Sequence, residues 1–467
     1  MNPVHPTLLL PVLFAGLLAV VPDWRLAARL NVVGSFLTMV AGLSLLWVRP
    51  APVPLFLVDD FNVFLVALTV FVAFTTSLFS ASYIRHEVRT GRLRPRFLRF
   101  YHAMYQAFVF TMLLALLADN LGVLWVAVEG ATLTTVLMVS LYRTPEAIEA
   151  AWKYFILCGV GIALALFGTI LVYLAAQPVL GGGMPAMTWS ALLPVMKDVN
   201  ADILSLAFVF LLIGYGTKVG LAPLHAWLPD AHAEGPTPIS AVLSGLLLNV
   251  ALYALLRFKM LLAGNPAALA PGPLMVGMGL GSLLLAAFML YARRDIKRLF
   301  AYSSIEHMGI ITFAFGIGGP VANFAGLLHM TMHSLTKSAI FIAVGLVVQA
   351  KGTQRIAEIR GLTSSHPVLG WSLLAGVVAI AGLPPFGIFM SEFLIVTTAF
   401  ARQPLLALLL AAGILVGFGA LVLRVQQLCF GEPSAGSGRP GTVRAQTAVL
   451  AVLGHLALVL VAGIWLP

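Results

Sequence analysis

The chain has 467 residues, of which 60% are hydrophobic and only 9% charged, with a mean hydropathy of +1.01 and a formal net charge of +10. A soluble domain carries about 25% charged residues, so this composition excludes a soluble globular protein and implies an all-α polytopic membrane protein. Basic residues concentrate in cytoplasmic loops of such proteins, which explains the charge better than a nucleic-acid surface does.

In chain order, the opening Met-Asn-Pro-Val-His-Pro lacks a basic segment ahead of an apolar stretch, so no cleavable signal peptide is expected. Apolar runs near the spanning length of about 20 residues fall at 7–22, 30–48, 58–84, 104–118, 120–141, 153–176 and 203–224. Others fall at 236–258, 272–292, 300–318, 322–349, 368–399, 404–430 and 444–465. They predict about fourteen transmembrane helices joined by short connections, none able to hold a domain core. Pro-Gly-rich stretches at 178–187, 264–273 and 431–441 read as connections rather than domain linkers. Cys158 and Cys429 both fall in apolar runs, which implies neither a disulfide framework nor a metal site.

The basic residues fix an orientation. With the N-terminus outside, the odd connections hold 20 of the 27 lysines and arginines, among them Lys297, and the even ones hold 5, among them Arg257. Lys218 and Lys337 remain inside spans. That bias predicts both termini on the outer side of a bacterial cytoplasmic membrane. The arginines between 85 and 99 are mainly topogenic; contact with anionic lipid or a partner subunit is the alternative.

Charges inside the spans then stand out. Lys218 lies in the run 203–224 and is followed by Val-Gly-Leu-Ala-Pro (219–223). A lysine at the bilayer centre costs about 2.5–3.5 kcal/mol on insertion scales and marks a functional position by default. The Gly-Leu-Ala-Pro beside it predicts a broken helix, a feature found where backbone lines a cavity or an ion path. His225 and His232 follow within the same stretch. Glu129 lies mid-span in the fifth run, and Lys218 is its natural basic partner, either as a working pair or as a static ion pair. Pro384-Pro385 predict a second broken helix just before Glu392. His329, His333 and Lys337 are spaced i, i+4, i+8 and share one helix face. A proton-conducting stripe is the leading reading; a metal site lacks an evident third ligand, and interhelical hydrogen bonding is the third possibility. Glu306 and His307 sit two turns into the tenth run, Lys153 starts the sixth, and Asn249 is mid-span in the eighth. A lone polar residue such as Asn249 is more often an interhelical hydrogen bond than a path element.

The spans group into residues 1–103 with three helices, a five-helix set at 104–258, a second at 272–430, and a final helix at 444–467. Each five-helix set has its break in the fourth helix, and its third helix carries a lysine, Lys153 or Lys337, toward the cytoplasmic part. Five being odd, the second set must be inverted relative to the first. Inverted repeats with broken helices mark ion and solute transporters.

Four segments carry a resemblance: Trp-Val-Ala-Val-Glu (125–129), Gly-Thr-Lys-Val-Gly-Leu-Ala-Pro-Leu-His-Ala-Trp-Leu-Pro-Asp-Ala-His (216–232), Asp-Ile-Lys-Arg-Leu-Phe-Ala-Tyr-Ser-Ser-Ile-Glu-His-Met-Gly (295–309) and Leu-Pro-Pro-Phe-Gly-Ile-Phe-Met-Ser-Glu-Phe (383–393). Over about 60–430 the chain resembles the antiporter-like proton-translocating subunits of respiratory complex I, multisubunit cation/proton antiporters and membrane-bound hydrogenases. Met-Thr-Met-His-Ser-Leu-Thr-Lys (330–337) favours the hydrogenase-4 and formate hydrogenlyase branch. The resemblance implies that Lys218 is the central proton carrier, Glu129 its gate and Glu392 the terminal carrier of the second half. It places Lys153, His329, His333 and Lys337 on the polar axis of the family. Asn249 stands where many members have a lysine and cannot carry a proton. The long lateral helix of one complex I member is not expected.

On this reading the chain carries no redox cofactor and no metal, and it works beside other membrane subunits and a peripheral hydrogenase or dehydrogenase arm. Desolvation disfavours the charged form of a lysine and a nearby carboxylate restores it. Moving Glu129 would therefore switch Lys218 between holding and releasing a proton. The rival functions are a sodium/proton antiporter subunit, a complex I subunit and a membrane partner in inorganic-carbon uptake. An intramembrane enzyme is disfavoured because no His-Glu-x-x-His motif is present.

Overall fold

The computed structural model describes residues 2–51, 55–433 and 446–465. Arg439, Arg444 and most of the predicted connection 431–441 lie outside the described residues. Among the described residues the regular elements are all helical. The long helices are α1 (Val4–Val20), α2 (Trp24–Ser44), α3 (Asp60–Arg89), α4 (Leu98–Leu117), α5 (Leu121–Val139), α6 (Pro145–Leu180) and α7 (Ala201–Val219). They continue with α8 (Trp227–Glu234), α9 (Thr237–Ala263), α10 (Pro271–Tyr291), α11 (Ile296–Ile317) and α12 (Gly319–Lys351). The last four are α13 (Pro367–Ile380), α14 (Gly387–Arg402), α15 (Pro404–Cys429) and α16 (Gln446–Ile464). Eleven described helices are long and apolar enough to cross a membrane, and α1 and α13 are shorter apolar helices. Each predicted apolar run falls on one of these helices, except that 203–224 takes in α7 and its break and 368–399 takes in α13, a break and α14.

Local sequence sets the ends. Asn120 accepts hydrogen bonds from the amides of Gly122 and Val123 (2.9 and 3.1 Å) and so starts α5. Thr144 caps α6, with Pro145 at its first position, where a missing N–H costs nothing. α6 thus begins at Pro145, eight residues before the predicted start, and Lys153 lies in its third turn rather than at its end. Gly220 adopts a left-handed conformation (φ 81°) and closes α7 one residue past Val219, with Pro223 following. α14 resumes at Gly387 beyond the Pro384-Pro385 break. α9 contains one π-helical stretch, Leu243–Leu247, which ends two residues before Asn249. Such stretches often lie at functional sites.

The chain divides into two compact units. Unit 1 comprises Met1–Phe74, Arg94–Gly220 and Leu246–Leu274; unit 2 comprises Thr75–Leu93, Leu221–Gly245 and Met275–Pro467. These boundaries differ from the repeat boundaries 104–258 and 272–430, because residues 221–245 pack within unit 2. In unit 1, α7 lies directly along α6. Small residues make this possible: a side-chain carbon on Gly214 would come within 2.6 Å of the Gly161 carbonyl oxygen and of the Ala165 amide nitrogen. In unit 2, α12 is the central helix and packs against α11, α13, α14 and α16. Its residues from Met332 to Val348 are buried without interruption.

Two basic residues assigned to connections are buried instead. Arg257 lies within α9 and bonds Asp59 at 2.7 Å and the Tyr253 hydroxyl at 2.8 Å, stacked against Trp189. An ion pair plus aromatic faces supplies what water would otherwise give the guanidinium. Lys297 is buried because its ammonium donates to the backbone carbonyls of Ala233 and Gly235 (2.8 and 2.6 Å), at the end of α8.

Candidate functional site

The first cluster lies in unit 1 where α5, α6 and α7 meet. Lys218 is fully buried in the last turn of α7. Its ammonium donates to the Thr132 hydroxyl at 2.6 Å and the Tyr154 hydroxyl at 2.8 Å, and lies 4.7 Å from the Tyr154 ring centre. Tyr154 in turn shares a 2.7 Å hydrogen bond with Thr135. Thr132 donates in turn to the Val128 carbonyl at 3.3 Å, and the half-buried Glu129 carboxylate lies one turn earlier on α5. Thr132 thus ties Lys218 to the face of α5 that also carries Glu129. The Glu129 Oε2 atom is buried with no protein hydrogen-bond partner. Cys158 is buried one turn beyond Tyr154 on α6, inside the electrostatic reach of Lys218.

Sequence reasoning missed Thr132, Tyr154 and Cys158. Threonines and a tyrosine in apolar helices look like ordinary helix packing. The available signal was the spacing: Glu129, Thr132 and Thr135 recur every three residues on α5 and so share a face. Lys153, half-buried on α6, is the neighbour in sequence of Tyr154.

The second cluster lies in unit 2. His307 of α11 is set between two histidines of α12, with ring centres 5.2 Å from His329 and 5.8 Å from His333. His307 Nδ1 and His329 Nε2 are 2.9 Å apart. His329 Nδ1 lies 2.9 Å from the hydroxyl of Ser391, which donates to the Ile388 carbonyl at 2.8 Å. Glu392, next to Ser391 on α14, brings Oε1 to 3.9 Å from His307 Nδ1. Gly382, in the break, makes room for this carboxylate: a side chain there would occupy the position of Glu392 Oε2. Glu306, buried beside His307, has the same relation to Gly417 of α15. Lys337 is buried at the middle of α12 rather than toward one end, and its ammonium donates to the Phe300 carbonyl at 3.1 Å.

The predicted stripe of His329, His333 and Lys337 is thus buried on one helix, but its closest partner, His307, comes from another helix. Ser391 was also missed as a site residue, although it adjoins Glu392. The remaining candidates lie apart in kind. His232 is buried and stacked on Phe341 (4.9 Å between ring centres), its ring nitrogens without protein partners. His225 sits half-buried in the first break, edge-on to Tyr302. Asn249 is buried in α9.

Buried ionisable groups grouped beside broken helices, in a polytopic helical protein, define the class of ion-translocating membrane proteins. The family model described as "NADH:quinone oxidoreductase/Mrp antiporter, TM" matches residues 118–418, and the chain belongs to this family. It is 59% identical over 460 residues to the Hydrogenase-4 component F homolog of Methylacidiphilum infernorum (isolate V4), covering 98% of this chain and 96% of that protein. It is 27% identical over 386 residues to Hydrogenase-4 component B of Escherichia coli (strain K12), covering 80% of this chain but only 55% of that longer protein. Among solved structures, a chain of the membrane-bound sulfane sulfur reductase, an archaeal respiratory membrane complex, shares the fold. The TM-score is 0.86 at 21% identity, covering 99% of this chain and 94% of that chain. The family match and the relatives named as hydrogenase-4 components make this a multi-pass membrane protein of a family whose members are subunits of multisubunit membrane complexes.

Proposed function

We propose that the chain is the antiporter-like, proton-translocating subunit of a membrane-bound redox complex of hydrogenase-4 type. Its proposed place is the bacterial cytoplasmic membrane, with both termini outside and the sets 104–258 and 272–430 as inverted repeats. Its partners are other membrane subunits and a peripheral hydrogenase or dehydrogenase arm, which supplies the driving redox reaction. The sequence relationship to the Hydrogenase-4 component F homolog supports the choice of parent complex.

The observation that carries the reading is the arrangement of transferable protons in each unit. In unit 1 the Lys218 ammonium is held by the Thr132 and Tyr154 hydroxyls, with the Glu129 carboxylate one turn from Thr132 on α5. A shift of Glu129 changes the field at Lys218 and switches it between holding and releasing a proton. In unit 2 a proton on His307 Nδ1 faces His329 Nε2 across 2.9 Å, with Glu392 3.9 Å away as the acidic terminus. Buried nitrogens of His333 and the Oε2 atoms of Glu129 and Glu306 lack protein partners. Polar atoms of this kind hold ordered water inside proteins, which supports a hydrated path. Asn249 contributes hydrogen bonding and no proton.

The test is to reconstitute the parent complex in proteoliposomes with Lys218→Ala and follow acidification while the redox partner turns over. Proton translocation falls to background while electron transfer continues. Unchanged translocation removes Lys218 from the mechanism.

A further inference from the structure

His307 Nδ1, His329 Nε2 and a Glu392 carboxylate oxygen are ligand atoms of three buried residues, all within 4.8 Å of one another. They come from three helices, α11, α12 and α14, so packing rather than one helix's spacing holds them together. We propose that these three groups form a binding site for a divalent transition-metal ion, zinc foremost.

Two imidazoles and a carboxylate are a zinc ligand set that leaves the fourth tetrahedral position open for water. Ligand atoms around tetrahedral zinc sit about 2.0–2.2 Å from the metal. The present separations of 2.9 Å between the imidazoles and 3.9 Å to the carboxylate need side-chain adjustment, not a new backbone.

The site offers an outer partner that selects the required tautomer. With the Ser391 hydroxyl proton on the Ile388 carbonyl at 2.8 Å, its oxygen, 2.9 Å from His329 Nδ1, accepts from Nδ1–H. His329 therefore presents a bare Nε2 toward His307 and Glu392. An outer-shell partner that fixes a ligand tautomer in this way is typical of metal-binding histidines. For His307 Nδ1 to ligate, its proton moves to Nε2, which is buried without a protein partner, so the ring stays neutral. The break beside the site supplies access: Pro384 and Pro385 are exposed, and the Glu392 side chain retains 10% exposure beneath Gly382.

The same groups are the proposed proton carriers of unit 2, so an ion held there blocks them. This inhibitory consequence rests on the proposed function; the binding site does not.

The purified full chain in detergent is titrated with Zn2+ by calorimetry and with Co2+ by visible absorption. One Zn2+ per chain is expected, with the intense visible bands of low-symmetry four-coordinate Co2+. His329→Ala and the near-isosteric Glu392→Gln each weaken binding at least ten-fold, and Ser391→Ala weakens it about 10–100-fold through the tautomer. His455→Gln, a buried histidine held elsewhere by Thr75 and the Leu335 carbonyl, leaves it unchanged. Wild-type protein without a stoichiometric site, or with the same affinity in Glu392→Gln as in wild type, overturns the assignment. In proteoliposomes Zn2+ stops proton translocation. If Zn2+ binds at the His329-dependent site and translocation continues at full rate, the metal site stands and the proton path of unit 2 does not.

Discussion

The clusters around Lys218 and around His307 solve the same physical problem with opposite chemistry. Both place ionisable groups beside a helix interrupted by proline, and both bury them. In unit 1 the central group is a cation at the end of the helix before the break, held by neutral hydroxyls, with the carboxylate Glu129 one turn from Thr132 on α5. In unit 2 the corresponding group is a carboxylate, Glu392, on the helix after the break, and its neighbours are imidazoles in direct contact with one another. A lysine held by hydroxyls is a single strong site whose charge depends on one external partner. A histidine stack divides the same task among weak bases, each able to donate and accept through different nitrogens. The first arrangement suits a switch, the second a conductor.

Several substitutions break or sharpen this contrast. Loss of a positioned proton-transfer group costs about 10²–10⁴-fold in rate. If unit 1 is the switch, Glu129→Gln lowers proton translocation by about 10²-fold, measured as dye quenching in proteoliposomes. If unit 2 is a distributed conductor, His333→Gln costs less, about ten-fold, because His307 and His329 remain in contact; equal losses would erase the distinction. Tyr154→Phe removes one hydroxyl from Lys218 while keeping the ring beneath it. A hydrogen bond to a charged group contributes about 1.5–3 kcal/mol, so the variant unfolds at a lower temperature in detergent and translocation slows roughly ten-fold or more. Gly214→Leu attacks the scaffold instead: overpacking costs about 1–3 kcal/mol, read as a lower unfolding temperature and, because α7 is pushed from α6, slower translocation. The smallest effect belongs to Asn249→Ala, expected within about two-fold of wild type, since an amide carries no proton. A large loss there would show that α9 takes part through ordered water.

Much of the fold was legible because membrane helices announce themselves. Length and hydropathy located the runs, and Gly220, Pro223, Pro384 and Pro385 located both breaks, since each acts through its own backbone. Single charges in apolar surroundings pointed to Lys218, Glu129 and Glu392 for the same local reason. What spacing could not reveal was contact between helices. The stripe on α12 is periodic, yet the partner that completes it, His307, lies on α11, and the third metal-ligand candidate lies on α14. Tyr154 looked like any aromatic core residue until α6 and α7 were seen in register. Arg257 and Lys297 were misread as loop charges because their compensating groups, Asp59 and the carbonyls of Ala233 and Gly235, are distant in sequence.

The most direct test compares Lys218→Ala and Glu392→Gln in the same reconstituted complex, recording protons translocated per electron pair. The account predicts that each substitution alone abolishes translocation while electron transfer proceeds. Full proton yield in either variant would contradict it.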